Sequence, residues 1–369
     1  MSKNNKQLIG NKMKNKLLLS SALLGSLVIG SSAYSQTTVT GSLSIGFKSL
    51  TDYNNASGAT SNNSSARSFG RESQINIQNK GKLNNGMDYA AGFSFEQDGR
   101  QEGDFSNENV YLDITSGDTT LTIGQDHIQN TNRTKGNFIG NDANDLASGN
   151  AYSTAGTRAF IQSAGANPAQ AMGVGIVQKT PFGSLSALYV PTNGNSGVDN
   201  EVGTDSGGTT VTLESDRESA YEIGFEGNLG VKGLAVHYFF NEEQKNTGNY
   251  RDTQGLNYGA SYNMGQLTVG YTRKETEVQG TNAATAVDTK QNEFGIAYAV
   301  TPNLSVGANY TKVDSSAANA VDAKSKSIAI GYNLGPVAIS GQLAKMENIT
   351  NTANTGDVDV AYIKINTNF

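Results

Sequence analysis

Reaction chemistry has little to work with in this chain: His127 and His237 are its two histidines, and it has no cysteine. A zinc centre of the usual Cys/His type cannot be assembled from that set. A Ser-His-acid hydrolase would have to recruit one of those two imidazoles, and no Gly-x-Ser-x-Gly elbow joins a strand to a helix. The sequence is therefore read as that of a non-enzyme.

What the residues can do is electrostatic. Residues 125–169 form a stretch of about 45 residues without secondary-structure pattern, a length uncommon outside functional or disordered segments. It gathers Asp126, Asp142 and Asp145 beside Arg133, Lys135 and Arg158. Within it, "GNDAND" places Asn141, Asp142, Asn144 and Asp145 as weak candidate ligands for Ca²⁺, which takes several oxygens in tolerant geometry. A solvated turn is the competing reading of that run, and a surface loop that of the whole segment. No cofactor is required by anything else in the chain.

The elements that position these charges begin with an export signal. Lys3, Lys6, Lys12, Lys14 and Lys16 precede the apolar run Leu17 to Ile29 and the small-residue site Ala33-Tyr34-Ser35, the layout of a secretory signal peptide. The expected division is a signal over 1–35, with Met13 able to start a compact signal by itself, and a mature domain over 36–369. The 27 basic side chains less those five leave 22 against 33 acidic, a formal −11. That balance makes nucleic acid an unsuitable partner.

Apolar residues make up 36%, low for a globular domain, yet they recur at every second position. Val39, Leu43, Ile45 and Phe47 alternate with Thr40, Ser42, Ser44 and Lys48. Leu256, Tyr258, Ala260 and Tyr262 repeat the pattern, and Ala361, Ile363, Ile365, Thr367 and Phe369 carry it to the last residue. Sixteen such strands are counted. Their connections alternate between tight turns and longer polar stretches, and all five prolines fall in or beside connections. Low hydrophobicity with strict alternation suits a barrel with one face in lipid and a wet lumen. The expected fold is an all-β transmembrane antiparallel barrel, since in hydrocarbon an open sheet edge leaves costly unpaired backbone groups. A soluble β-sandwich is the alternative, but it does not anticipate the signal, the loop rhythm and the terminal aromatic together.

The stretches "TVTGSLSIGF", "LTIGQD", "KTPFGSLSALY" and "AYIKINTNF" make the mature chain resemble the general diffusion porins of Gram-negative bacteria, particularly the alphaproteobacterial type. The resemblance implies a homotrimer of sixteen-stranded barrels whose third loop, here 125–169, folds inward to narrow the pore. It implies carboxylates of that loop facing basic groups across the constriction. Lys48 and Arg100, by their inward parity, are the candidate opposing groups. Calcium near the constriction is a further implication. Phe369 becomes the C-terminal signal read by the barrel-assembly machinery. The expected partners are outer-membrane lipid and lipopolysaccharide, further copies of the chain, ions and small hydrophilic solutes. The expected function is passive diffusion across the cell outer membrane. A substrate-specific channel, or an adhesin or structural barrel, are the alternatives.

Overall fold

The computed structural model describes residues 35–53, 64–99, 106–125, 172–191, 219–244, 252–278, 287–348 and 357–369. These contain sixteen strands: β1 Gln36–Tyr53, β2 Ser64–Lys82, β3 Asp88–Gly99, β4 Ser106–Ser116, β5 Thr119–Gly124, β6 Gly173–Thr180, β7 Gly183–Val190 and β8 Ala220–Gly227. The second half adds β9 Leu234–Glu243, β10 Thr253–Met264, β11 Leu267–Val278, β12 Val287–Ala299, β13 Leu304–Ser315, β14 Ala323–Asn333, β15 Val337–Glu347 and β16 Val358–Asn368. Each strand pairs with its sequence neighbours, and β1 pairs with β16 to close the barrel.

Closure reaches the chain's last residue. Ser42 faces Asn368 and the ladder runs to Thr51 opposite Asp359. Beyond it, Gly41 N–H donates to the Phe369 carbonyl at 2.6 Å and Phe369 N–H donates back to Gly41 at 2.9 Å. The Phe369 ring lies over Gly41, where an added Cβ would stand 2.5 Å from the ring. The terminal aromatic thus seals the seam, with a glycine opposite to make room for it.

Period-two alternation sorts every strand into an inner and an outer face. On β16 the outward set is Ala361, Ile363, Ile365, Thr367 and Phe369, as the alternation requires. Its eight residue steps cover roughly 26 Å of strand, the scale of the apolar band of an outer-membrane barrel. Exposed Tyr262, Tyr298 and Tyr332 mark the border at the short-turn end. At the opposite border Tyr271 and Tyr310 stand one outward position before Arg273 and Lys312. Tyrosine suits such borders because its ring is apolar and its hydroxyl is wet.

The strands run further than their apolar alternation. The polar stretches 49–68, 275–289 and 314–324, which lack the apolar alternation, are strand at both ends, because β1, β2, β11, β12, β13 and β14 extend into them. The alternation stops where lipid stops, but backbone pairing continues. The outward positions there carry charge instead of hydrocarbon: Lys312 Nζ lies 2.7 Å from Asp314 and 3.0 Å from Asp322. The Lys312 ammonium, donating to Asp322, holds that loop carboxyl below the usual carboxylate range. At the other end the turns are tight. Gly265 and Gly335, at φ of 85° and 87°, meet nothing where a Cβ would stand, so they serve the turn's positive φ and not close packing.

Two changes at the seam should act alike. Deleting Phe369 removes two reciprocal hydrogen bonds and the ring; Gly41→Leu evicts the ring and also presses on the Gln74 carbonyl, which an added Cβ would approach to 2.9 Å. Both should lower the amount of heat-modifiable, folded barrel, whereas Gly70→Ala, at a glycine with open space around it, should not. Wild-type levels of folded barrel from the Phe369 deletion would contradict the seam's role.

Candidate pore and its lining

The inner face is polar and, in one sector, closely covered. From β8 to β16, the inward side chains toward the long-loop end include Glu222, Asn241, Asn257, Thr272, Lys274, Gln291, Glu293, Thr311 and Gln342, all buried. A side chain on the wall of a wide, empty lumen would be wet. Lys274 and Glu293 are the extreme case: their side chains are 2% and 0% exposed, and Lys274 Nζ lies 3.4 Å from Glu293 Oε1. Gln291 donates to the same carboxylate. Buried charges persist only where paired and hydrogen-bonded.

His237 points inward between outward Val236 and Tyr238 and shares a hydrogen bond of 3.1 Å with Asn257 Oδ1. It belongs to this wall network, and the group it bonds is a side-chain amide. Inward aromatics are equally structural. Phe239 packs onto Gly224, Tyr362 onto Gly46 and Tyr111 onto Gly92, and Gln78 Nε2 donates to the Tyr111 hydroxyl. Each ring fills the notch of a cross-strand glycine. They do not form a row of stacking platforms along the lumen.

Of the charges expected at the pore, Lys48 lies on β1 with inward parity, opposite Ser68 on β2 and Tyr362 on β16. Arg100, Asp126, Arg133, Lys135, Asp142, Asp145 and Arg158 lie outside the described residues, as do Asn141, Asn144 and His127. Among the described residues no cluster of three or more His, Cys, Asp or Glu could hold a metal ion.

A set of wall charges escaped the sequence reading. Glu222 and Glu226 on β8 and Glu243 on β9 all face inward. In a closed barrel of sixteen, β8 and β9 stand across the lumen from β16 and β1, which carry inward Lys364 and Lys48. The inward parity of each glutamate was legible; its opposition to a lysine more than 100 residues away was not, because only strand order reveals it.

The sequence profile of the Gram-negative porins matches residues 20–351. No curated protein sequence matches the chain. Among solved structures, an anion-selective porin from Comamonas acidovorans superposes with a TM-score of 0.66 at 14% identity, covering 91% of this chain and 100% of its own. A loop deletion mutant of OmpT, an outer membrane protein of Vibrio cholerae, gives 0.61 at 15% identity, over 91% and 99%. A mutant porin of Rh. blastica gives 0.58 at 15%, over 90% and 100%.

The buried ion pair yields a direct test. Lys274→Met removes one charged partner of the buried Glu293 carboxylate, which should destabilise the barrel by about 3–5 kcal/mol. Adding Glu293→Gln should recover most of that loss. The temperature at which the folded band converts on a semi-native gel reads both, and equal stability of the single and double variants would remove the coupling.

Proposed function

Since the chain belongs to the Gram-negative porin family, an outer-membrane channel for small hydrophilic solutes and not an enzyme, we propose how its pore is narrowed and charged. The third loop, 125–169, folds into the barrel and forms the constriction. The observation that carries this reading is the burial of the polar wall, Lys274 and Glu293 above all: some part of the chain must cover it, and this loop is the longest segment available.

Asp126, Asp142 and Asp145, with Arg133, Lys135 and Arg158, then supply the loop's charges, and Lys48 and Arg100 face them from the wall. The glutamates of β8 and β9 across from Lys48 and Lys364 add to the same transverse field. Such a field orders water and admits polar solutes over apolar ones. The net acidity of the whole chain does not set selectivity, because charges on external loops are screened beyond about 8 Å at physiological salt. Charges between low-dielectric walls are screened less. Calcium held by Asp142 and Asp145 is the weaker reading of that pair.

Three copies assemble into a trimer in this reading, and small outward residues such as Ala91, Ala187 and Ala260 permit close approach between barrels. Gly41 does not contribute, since Phe369 of the same chain fills its space. The barrel-assembly machinery reads the Phe369 terminus during biogenesis. Mass measurement in mild detergent should return three copies; a monomer alone would remove the trimer.

Conductance in a planar bilayer tests the channel, with stepwise openings expected. Asp142→Asn together with Asp145→Asn should then lower cation preference, read as the reversal potential in a salt gradient, with an effect that shrinks as salt rises. An unchanged potential, with the loop cut by protease in intact cells, would defeat the constriction and leave the barrel standing.

A further inference from the structure

The outward face of β13–β16 holds two lysines that neither the pore nor the fold uses. Lys326 on β14 and Lys345 on β15 stand directly opposite each other in the register, and both are exposed. Among the described residues, neither takes a hydrogen bond or an ion pair. Side chains opposed in this way have Cβ atoms about 5 Å apart, and like charges there repel.

The rest of this rim avoids the cost. Lys312 also faces a lysine, Lys324, but Asp314 and Asp322 neutralise it. Lys324 has Glu347 opposite, one carboxylate to one lysine though without an ion pair, and Arg273 is paired with Glu275. Asp359 stands opposite Lys345 without forming an ion pair, so the site retains an excess of positive charge. A pair of unneutralised lysines at the border of lipid calls for an anion.

The surface around them is shaped for an amphiphile. Both lysines, with Ser49 and Asp359, line a depression of about 480 Å³. It shares Ile328, Leu343 and Ala361 with a second groove of about 770 Å³ lying toward the short-turn end of the same face. That groove is apolar, and it exists because Gly341 and Ala308 leave a trough between larger neighbours such as Ile330 and Ile363. Polarity therefore changes along one continuous furrow, from two cations at the long-loop end to bare hydrocarbon below.

We propose that this furrow seats one phosphorylated, acylated lipid of the outer leaflet, a lipopolysaccharide in chemical class. Its phosphate lies between Lys326 and Lys345, and an acyl chain runs over Gly341. The proposal rests on the outer-membrane reading and gives a residue-level site to the lipid partner. Free phosphate would have no use for the groove. A second copy of the chain would have to bring a carboxylate to each lysine. A lipid satisfies both halves, because it carries anion and hydrocarbon in the same order as the furrow.

The test uses the folded, full-length barrel stripped of lipid in detergent and probed by native mass spectrometry. The probes are bis-phosphorylated lipid A, its dephosphorylated form, and inorganic phosphate. Wild type should retain one phosphorylated lipid A and bind the dephosphorylated form at least tenfold more weakly. K326Q/K345Q should lose at least tenfold in retention, K326R/K345R should keep it, and D359N should strengthen it. Gly341→Leu should weaken retention by filling the trough; a Cβ there meets nothing nearer than 3.4 Å, so the barrel itself tolerates it. Equal binding of the two lipid forms, wild-type retention by the double Gln variant, or full displacement by inorganic phosphate would overturn the proposal. So would a second copy of the chain bound through this face in place of lipid and lost with the lysines. Channel steps should be unchanged in every variant, because all these side chains lie outside the lumen. Loss of steps in wild type would count against the channel, independently of this site.

Discussion

Hydrocarbon offers no hydrogen bonds, so every backbone amide and carbonyl that crosses it must find a partner within the protein. The rest of this molecule follows from that demand. Sixteen strands in sequence order satisfy all but two edges, and joining β1 to β16 satisfies those. The seam is the one pairing between elements at opposite ends of the chain, and it closes the largest loop of any pairing. It is fixed down to the terminal residue, whose amide and carbonyl both bond to Gly41. An aromatic last side chain and a glycine 328 positions earlier are two halves of one joint.

Once the backbone is closed, side chains have two solvents to satisfy. Outward positions meet lipid between tyrosine borders and charge beyond them. Inward positions meet water, or one another, and there the wall from β8 to β16 resembles a protein interior built from polar groups. Lys274, Glu293, Gln291, Asn257 and His237 are held by mutual hydrogen bonds and ion pairing, while apolar area does most of its stabilising on the outside. This inversion explains how a chain with 36% apolar residues and a mean hydropathy of −0.43 folds. One apolar face per strand suffices, and glycines under Phe239, Tyr111 and Tyr362 let the inner rings lie flat against the sheet.

The same inversion separates the two kinds of charge. Charges on the outer rim, such as Lys312 with Asp314 and Asp322, stand past the end of the apolar band and neutralise one another. Charges on the inner wall, such as Lys48 on β1 and the glutamates of β8 and β9, point to the barrel interior. Parity alone decides the assignment, so neighbours in sequence serve different compartments: outward Glu242 accepts from the Tyr221 hydroxyl at 2.9 Å, while inward Glu243 faces the lumen.

Much of this was legible in the chain because period two is a local property. Strand count, inward and outward faces, tight turns at Gly265 and Gly335, and the role of Phe369 as the end of a paired strand all follow from side chains within a few positions of each other. Strand ends were less legible. Hydrophobic alternation reports where lipid stops, and β1, β2 and β11–β14 keep pairing beyond that point. What the tertiary structure decided is everything that depends on which strands meet: Gly41 under Phe369, Lys274 against Glu293, Lys326 facing Lys345, and the glutamates of β8 and β9 across from Lys48. These are register and closure relations between distant segments, and no local pattern encodes them, since a strand shifted by two residues would show the same alternation and a different set of partners.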